Sequence, residues 1–317
     1  MLTFSAPGKI ILCGEHAVVY GRPAIALPMS GIRARVLAEP AERGSGIRFD
    51  APDLGQAWSL RDAPDDPLSQ LAAQLLANLG VPVPDLLLRI ESDIPIASGM
   101  GSGAAIATAI VRALTIVLGY DLPTSTISEL VYESEKRYHG TPSGIDNTVV
   151  AYEQPIWFQR ASSGQSAPRI DPVTIAEPFT LIIADTGIRS ATKLPVGEVR
   201  RRWQADLATY EGLFDEIGAL VTQVRDLLIL GQIAELGPLL NANHILLQEI
   251  GVSSPELDRL VESARTAGAL GAKLSGAGWG GIMLALVDTS EAQLVQRALV
   301  AAGATRVLET SIVSHQP

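Results

Sequence analysis

The sequence predicts an α+β protein of two domains, which we place at residues 1–168 and 169–317. Some segments alternate apolar and polar residues as strands do, and others repeat apolar residues at the helical period. A Ser-, Pro- and Gly-rich stretch at 159–178 lies between two groups of such segments and marks the domain boundary. Beyond it, with two inserted helices set aside, the order is β-α-β-β-α-β. That order is typical of a ferredoxin-like split fold and not of a doubly wound sheet.

The first forty residues predict short strands, because Pro-Gly and Gly-Arg-Pro turn signals divide the apolar runs. These strands are expected at 3–6, 9–13, 24–28 and 32–39. Residues 68–80 have the helical pattern, and Gly80 is placed to end that helix. Residues 85–92 alternate, with Leu86, Leu88 and Ile90 on one face, which predicts a strand.

Two further helices are predicted before the boundary. One follows the glycine cluster at 98–103 and ends near Gly119. The other covers 126–140, with Thr126 and Glu129 at the spacing of a capping box and Gly140 at its end.

The elements beyond the boundary begin with a buried strand at 179–186 and two helices within 196–249. Ser254 is a good N-cap for the next helix, since Pro255 follows it. The remaining segments are predicted as strands at 272–276 and 281–287, a helix at 290–303 and a strand at 305–313.

The net charge of −10 argues against a nucleic-acid partner, because phosphate backbones require dense Lys and Arg. The only cysteine is Cys13, so an internal disulfide or a cysteine metal cluster is excluded. The first residues, "MLTFSAPGKI", contain no basic region followed by a long apolar run. We therefore expect a cytoplasmic protein that binds neither nucleic acid nor membrane.

The stretch "SGMGSGAAIATA" at 98–109 combines glycines with the start of a helix, which suggests a phosphate-binding loop. A P-loop is excluded, since no Gly-Lys-Ser/Thr follows the first glycine in this segment. Gly99, Gly101 and Ala104 fit a dinucleotide fingerprint, but the surroundings of Asp121 do not form the strand that this motif requires. A turn that only lets the helix pack closely is the remaining alternative.

Three stretches carry a more specific signal: "PGKIILCGEHAVVYGRPAIALP" (7–28), "PIASGMGSGAA" (95–105) and "KLSGAGWGGIML" (273–284). They resemble the three signature motifs of the GHMP small-molecule kinases and occur in the family's order. Within that family, "GKIILCGEHAVVYG", "EKRYHGTPSGIDN" (135–147) and "NANHILLQEIGVSSPELDRL" (241–260) resemble the mevalonate kinases. The resemblance covers nearly the whole chain.

The resemblance implies the GHMP kinase fold, with an N-terminal domain like ribosomal protein S5 domain 2 and a ferredoxin-like C-terminal domain. It implies ATP-dependent phosphorylation of the primary alcohol of mevalonate to 5-phosphomevalonate, an isoprenoid precursor. Mg²⁺ is the implied cofactor, ATP and mevalonate are the small-molecule partners, and a homodimer is the expected assembly. Another GHMP kinase, acting on phosphomevalonate, homoserine or galactose, is the nearest alternative. A weakly active nucleotide-binding regulator on the same fold is the alternative outside the enzymes.

The resemblance assigns catalytic roles to Asp146, as acceptor of the alcohol proton, and to Lys9 beside it, and it makes Glu135 the Mg²⁺ ligand. A carboxylate suits a general base, and a cation suits developing negative charge. Without the resemblance, the three residues read as a turn aspartate, a surface lysine and a solvated charge.

Other site residues follow from the same resemblance. The nucleotide-binding positions are Ser92, Ala97, Ser98, Gly99, Met100, Gly101, Ser102, Gly103 and Ala104. The substrate-binding positions are Glu15, His16, Ser143, Thr192 and Lys193. The substrate carboxylate requires a cation, and Lys193, Arg189 and His16 are the candidates.

Two positions depart from the family pattern. Gly103 stands where the loop usually has a serine that joins the glutamate on Mg²⁺, and this departure keeps the regulator alternative open. Trp279 interrupts the glycines of the third motif, where an indole could narrow the nucleotide pocket or point outwards.

Overall fold

The computed structural model describes residues 2–95, 98–139, 143–161, 167–189 and 192–315. The chain forms two compact units that alternate along the sequence. Unit 1 comprises Met1–Lys9, Pro28–Ile96 and Gly101–Glu153, and unit 2 comprises Ile10–Leu27, Ala97–Met100 and Gln154–Pro317. The division predicted after residue 168 stays a prediction, because compactness does not test which segments fold independently.

The helices are α1 (Pro67–Leu79), α2 (Ser102–Val117), α3 (Thr124–His139), α4 (Ile145–Tyr152), α5 (Lys193–Ala205), α6 (Leu207–Leu230), α7 (Leu236–Ile250), α8 (Pro255–Thr266) and α9 (Ala292–Ala301). The strands are β1 (Leu2–Cys13), β2 (Pro23–Pro40), β3 (Ile47–Ala51), β4 (Gln56–Ser59), β5 (Leu86–Ser92), β6 (Ile156–Gln159), β7 (Arg169–Pro172), β8 (Phe179–Asp185), β9 (Gly271–Ser275), β10 (Ile282–Val287) and β11 (Arg306–Ile312).

Unit 1 combines a sheet with the helices α1 to α4. Its strands run in the order β4-β3-β5-β2, and β1 also pairs with β2. The alternation in β5 is confirmed, because Leu86, Leu88 and Ile90 are buried. The predicted end of α1 is confirmed as well, since Gly80 adopts the left-handed C-cap conformation. The four helices pack on one another and bring the beginnings of α2 and α4 close to β1.

Unit 2 contains a four-stranded antiparallel sheet in the order β11-β8-β10-β9. In chain order these strands are the fourth, first, third and second, which is the ferredoxin-like arrangement and confirms the predicted fold class. Ser254 caps α8 through its hydroxyl, as predicted. All residues of β8 and β10 are buried, so this sheet forms the centre of the unit.

Several predicted boundaries were wrong. The Pro-Gly turn signal at residues 7 and 8 does not interrupt β1, and β2 continues through the gap expected between the strands at 24–28 and 32–39, so each is one long strand. Helix α3 begins at Thr124, and the N–H of Ile127 donates to the carbonyl of Pro123. Thr126 therefore lies inside the helix and the capping box with Glu129 does not form.

The structure also adds elements to the predicted set. Three helices, α5, α6 and α7, occupy the region where two were predicted. The elements α4, β3, β4, β6 and β7 were not predicted. Gly140 lies outside the described residues. No helix in the described part of the chain combines the length and apolar character that crossing a membrane requires.

Candidate active site

Lys9 and Asp146 form an ion pair in unit 1, with 2.9 Å between Nζ and Oδ1. Lys9 lies on β1 and its side chain is almost completely buried, whereas the side chain of Asp146 is 31% exposed. Asp146 occupies the first turn of α4, where the helix dipole favours an anion. The pair thus presents one carboxylate with an accessible side and a buried cation behind it.

Gly101 connects this pair to the start of α2. It is the N-cap of that helix and has a φ of 73°, in the left-handed region that favours glycine. A Cβ at this position would lie 2.8 Å from Cγ of Lys9, so a side chain here would displace the lysine. Only glycine allows the lysine and the beginning of the helix to approach this closely.

The N-terminus of α2 is available to an anion. The first N–H groups of a helix have no acceptor within the helix, and in the described residues no side chain caps this one. Ser102 is half-buried and Gly103 is exposed at this end, while Ala104 is buried below them. The arrangement suits a phosphate group.

Glu135 is a buried carboxylate on α3, next to Gly103. A Cβ on Gly103 would lie 4.0 Å from Oε1 of Glu135. Burial and the negative charge of Asp146 raise the pKa of Glu135 to about 8, although Lys9 acts in the opposite direction. A divalent cation at this carboxylate would replace the proton and relieve the cost of burying the charge.

The other nucleotide-binding positions predicted from the sequence lie in two places. Ser92 ends β5, and its hydroxyl accepts a hydrogen bond from the N–H of Ile94 at 3.2 Å. Ser98, Gly99 and Met100 belong to unit 2, where Ser98 and Met100 are buried and Gly99 is exposed. Ala97 lies outside the described residues.

Glu15 and His16 lie in a turn of unit 2 that follows β1. Glu15 accepts a hydrogen bond from Nζ of Lys273, and both side chains are buried. His16 donates from Nε2 to the carbonyl of Ala277 at 2.9 Å. Burial lowers the pKa of His16 to about 4, although this hydrogen bond acts in the opposite direction. An imidazole with this pKa is neutral at pH 7, which argues against His16 as the cation for a substrate carboxylate.

These two hydrogen bonds connect the turn that contains Glu15 and His16 to β9 and to the third glycine motif within unit 2. Lys273 lies on β9 and also donates to the carbonyl of Leu274 at 2.6 Å, while Ala277 belongs to the glycine-rich segment 276–281. The sequence comparison with the family motifs gave Lys273 no role. The available signal was a lysine within the apolar strand "AKLS", which requires a buried partner.

Trp279 points to the end of α7. Its backbone N–H donates to the carbonyl of Val252 at 2.8 Å, and its Nε1 donates to the carbonyl of Gly251 at 3.0 Å. Neighbouring Gly278 approaches so closely that a Cβ there would lie 2.0 Å from the carbonyl oxygen of Val252. The indole therefore attaches the glycine-rich segment to the turn after α7.

The remaining substrate positions are Ser143, Thr192 and Lys193. The hydroxyl of Ser143 accepts a hydrogen bond from the N–H of Ile145 at 3.3 Å, just before Asp146. Thr192 is the residue before α5, and Lys193 is exposed at its first position, with no ion-pair partner in the described residues. Arg189, the alternative cation, pairs with the buried carboxylate of Asp185 at 2.9 Å.

The chain is similar to known kinases in both sequence and fold. The sequence model described as "GHMP kinases N terminal domain" matches residues 68–154, and the one described as "GHMP kinases C terminal" matches residues 224–305. The chain is 33% identical to the mevalonate kinase of Thermococcus gammatolerans, over 97% of this chain and 95% of that protein. It is also 33% identical to the mevalonate kinase of Aeropyrum pernix, over 91% of this chain and 89% of that protein. The crystal structure of L. major mevalonate kinase in complex with R-mevalonate aligns with a TM-score of 0.85 and 30% identity, over 99% of this chain and 96% of that chain.

Proposed function

The chain belongs to the mevalonate kinases of the GHMP kinase family, and we propose that it transfers a phosphoryl group from ATP to the primary alcohol of mevalonate with Asp146 and Lys9 as its catalytic pair. The observation that carries the proposal is the Lys9–Asp146 ion pair beside the uncapped beginning of α2. A helix N-terminus binds phosphate, and an accessible carboxylate accepts a proton. Unit 1 therefore contains a group that suits the phosphoryl acceptor, the carboxylate of Asp146, and a group that suits the phosphoryl donor, the N-terminus of α2.

The reaction assigns a distinct task to each member of the pair. The alcohol oxygen attacks the γ-phosphorus of ATP, its proton passes to the carboxylate of Asp146, and the bond from the γ-phosphorus to the β,γ-bridging oxygen breaks to release ADP. Negative charge grows on the attacking oxygen as its proton leaves, and the ammonium of Lys9 stabilises that charge. The burial of Lys9 strengthens this interaction, because little water screens it.

Mg²⁺ is the proposed cofactor, and Glu135 is its proposed protein ligand. Mg²⁺ in nucleotide sites takes one or two carboxylates and completes its shell with phosphate oxygens and water. The described residues contain no cluster of three or more His, Cys, Asp or Glu that could hold a metal alone. A single buried carboxylate beside the open position of Gly103 suits an ion that arrives with ATP. When bound, the ion offsets the charge of the phosphates.

Lys193 is the proposed contact for the carboxylate of mevalonate. His16 is neutral at pH 7, and the charge of Arg189 is compensated by Asp185. Lys193 is exposed at the beginning of α5, next to the hydroxyl-bearing Thr192, and has no ion-pair partner among the described residues. Glu15, His16, Ser143 and Thr192 complete the proposed substrate positions, with His16 as a neutral hydrogen-bonding group.

The test is an assay of purified protein with MgATP and a panel of mevalonate, phosphomevalonate, homoserine and galactose. We expect phosphorylation of mevalonate in preference to the other three alcohols. Preference for another member of the panel would overturn the substrate assignment, and absence of turnover on all four would favour the regulator. A homodimer and a cytoplasmic location stay predictions, which light scattering of the purified protein and fractionation of cells would test.

A further inference from the structure

Arg33, Arg112 and Glu153 form a charged cluster in unit 1, separate from the Lys9–Asp146 pair. Arg33 donates from Nη2 to Oε1 and Oε2 of Glu153 at 3.0 and 2.8 Å, and Nη1 of Arg112 donates to Oε1 of the same carboxylate. The three side chains are only 22 to 31% exposed. Partly buried charges cost free energy unless hydrogen bonds and opposite charges compensate them, and here each charged group has such partners.

Arg112 connects three elements through one guanidinium group. It lies on α2, its Nη1 donates to the carbonyl of Ser5 on β1 at 2.8 Å, and its Nη2 donates to the carbonyl of Ala151 in the last turn of α4 at 2.9 Å. The last carbonyls of a helix have no donor within the helix, so Arg112 satisfies one that α4 leaves open. Arg33 adds a hydrogen bond from Nε to Oγ of Ser5 at 2.9 Å.

Each of these elements carries a group of the proposed catalytic site elsewhere along its length. Lys9 follows Ser5 by four residues on β1, which corresponds to about 13 Å along a strand. Asp146 precedes Ala151 by five residues on α4, about 7.5 Å along a helix. Ser102 begins α2 ten residues before Arg112, about 15 Å away.

The backbone conformation of Glu153 also indicates that the carboxylate has a structural task at this position. It is the C-cap of α4 with a φ of 53°, in the left-handed region where glycine or asparagine would be less strained than glutamate. Strain of this kind persists where the surrounding structure requires the residue. Here the requirement is a carboxylate that both arginines can reach at the end of α4.

We propose that Arg112 and Glu153 are positioning residues for phosphoryl transfer. They hold β1, α2 and α4 in one register, so that Lys9, Asp146 and the beginning of α2 keep their mutual distances. The proposal rests on the proposed function, because its consequence is measured as kinase turnover. A displacement of about 1 Å in a catalytic group can lower a rate by about a hundredfold, so a remote loss of register is expected to reduce kcat.

The test compares Arg112→Ala with Arg33→Ala. Both variants remove one arginine from Glu153, but only Arg112→Ala releases α2 and the carbonyl of Ala151. We expect both to lose similar thermal stability. We expect kcat of Arg112→Ala to fall at least about tenfold below that of Arg33→Ala, with both KM values within about threefold of wild type. A low, non-denaturing concentration of guanidinium chloride should restore part of the kcat of Arg112→Ala and leave Arg33→Ala unchanged.

Glu153→Gly provides a second variant that keeps the comparison possible if Arg112→Ala does not fold. Glycine relieves the left-handed backbone at this position while it removes the carboxylate, so the protein should stay folded and lose kcat. Equal kcat values for Arg112→Ala and Arg33→Ala, a matching rise in KM, or no response to guanidinium would overturn the positioning role. If Glu153→Gly is tested instead of Arg112→Ala, a kcat equal to that of the wild type would overturn the positioning role. An inactive wild-type protein would overturn the proposed function itself, and with it this role, so the two failures are distinguished by the first measurement.

Discussion

Lys9 and Asp146 differ sharply in exposure although their charged atoms are 2.9 Å apart: the lysine side chain is 4% exposed and the aspartate side chain 31%. The lysine side chain packs closely against Gly101, whereas the aspartate has one side accessible to a substrate. This asymmetry suits a pair in which the carboxylate takes a proton and the ammonium stabilises charge.

Asp146→Asn is expected to bind ATP and lose most of its turnover. The amide has the shape of the carboxylate but accepts no proton and carries no charge for Lys9. We expect kcat to fall by about 10² to 10⁴-fold, the usual contribution of a general base. Steady-state kinetics and nucleotide binding by calorimetry provide the measurement. A kcat within a few-fold of wild type would mean that Asp146 is only a turn residue.

Gly101→Ala is expected to lower kcat by displacing Lys9. The added Cβ would lie 2.8 Å from Cγ of the lysine, and a shift of about 1 Å in its ammonium can cost up to about a hundredfold in rate. Gly80→Ala is the matched control, because Gly80 also has a positive φ, of 66°, with no atom within 4 Å of the added Cβ. Both variants bear a similar backbone cost, of about 1–2 kcal/mol. Equal kcat values in the two would show that Gly101 serves the backbone alone.

Gly103→Ser is expected to change the apparent Mg²⁺ affinity only modestly, within roughly the 0.5–1.5 kcal/mol of one exchanged polar contact. The Cβ site has Glu135 Oε1 at 4.0 Å and no closer atom, so a serine fits without displacement. In the wild type, we expect water to occupy the coordination position that the hydroxyl would take. Titration of MgATP-dependent turnover in both proteins is the measurement. An inert wild type beside an active Gly103→Ser variant would identify the chain as a regulator.

His16→Asn is expected to alter how stability depends on pH. The folded-state pKa of His16 is about 4, below its ordinary value of 6.5, so between these values the unfolded chain binds a proton that the folded protein does not. Stability from this group is therefore present above pH 6.5 and is lost as the pH falls towards 4, by at most about 3 kcal/mol. Asparagine carries an amide that can donate a hydrogen bond, as the imidazole does, and it does not titrate.

The measurement is the free energy of unfolding in urea for both proteins across that pH window. The wild type should be more stable at neutral pH, and its advantage should shrink as the pH falls. His244, whose pKa is also lowered to about 4 by burial, is present in both proteins, so its effect cancels. An advantage that stays constant with pH would contradict the neutral, buried state of His16.

Elements with local signals were predictable from the sequence. Helix α8 begins where Ser254 and Pro255 indicate, and α1 ends where Gly80 indicates, because caps depend on neighbouring residues alone. The capping box predicted at Thr126 and Glu129 is wrong, and the cause is also local. The chain already becomes helical after Pro123, two residues earlier than that pattern requires.

Contacts between distant residues were not predictable in this way. The partner that allows Lys273 to be buried is Glu15, 258 residues earlier in the chain. The Pro-Gly turn signal at residues 7 and 8 was overridden because β1 pairs with β2 in the sheet. The proposed catalytic residues came from family motifs, and the distance between Lys9 and Asp146 came only from the fold.

The glycine-rich segment around Trp279 has a consequence for how this protein can vary. At Gly278 a side chain of any size would collide with the backbone of Val252, so that position is closed to substitution. The next position is open, because the tryptophan side chain lies against the end of α7 and requires only a left-handed φ of 56°. Between Gly278 and Gly280, where a Cβ would lie 2.7 Å from the carbonyl oxygen of Ile188, we therefore expect position 279 to tolerate substitution, with asparagine or glycine replacing tryptophan at the cost of the Nε1 hydrogen bond. A bulky residue that looks disruptive in the sequence thus lies, in three dimensions, between two glycines whose backbones pack too closely for a side chain.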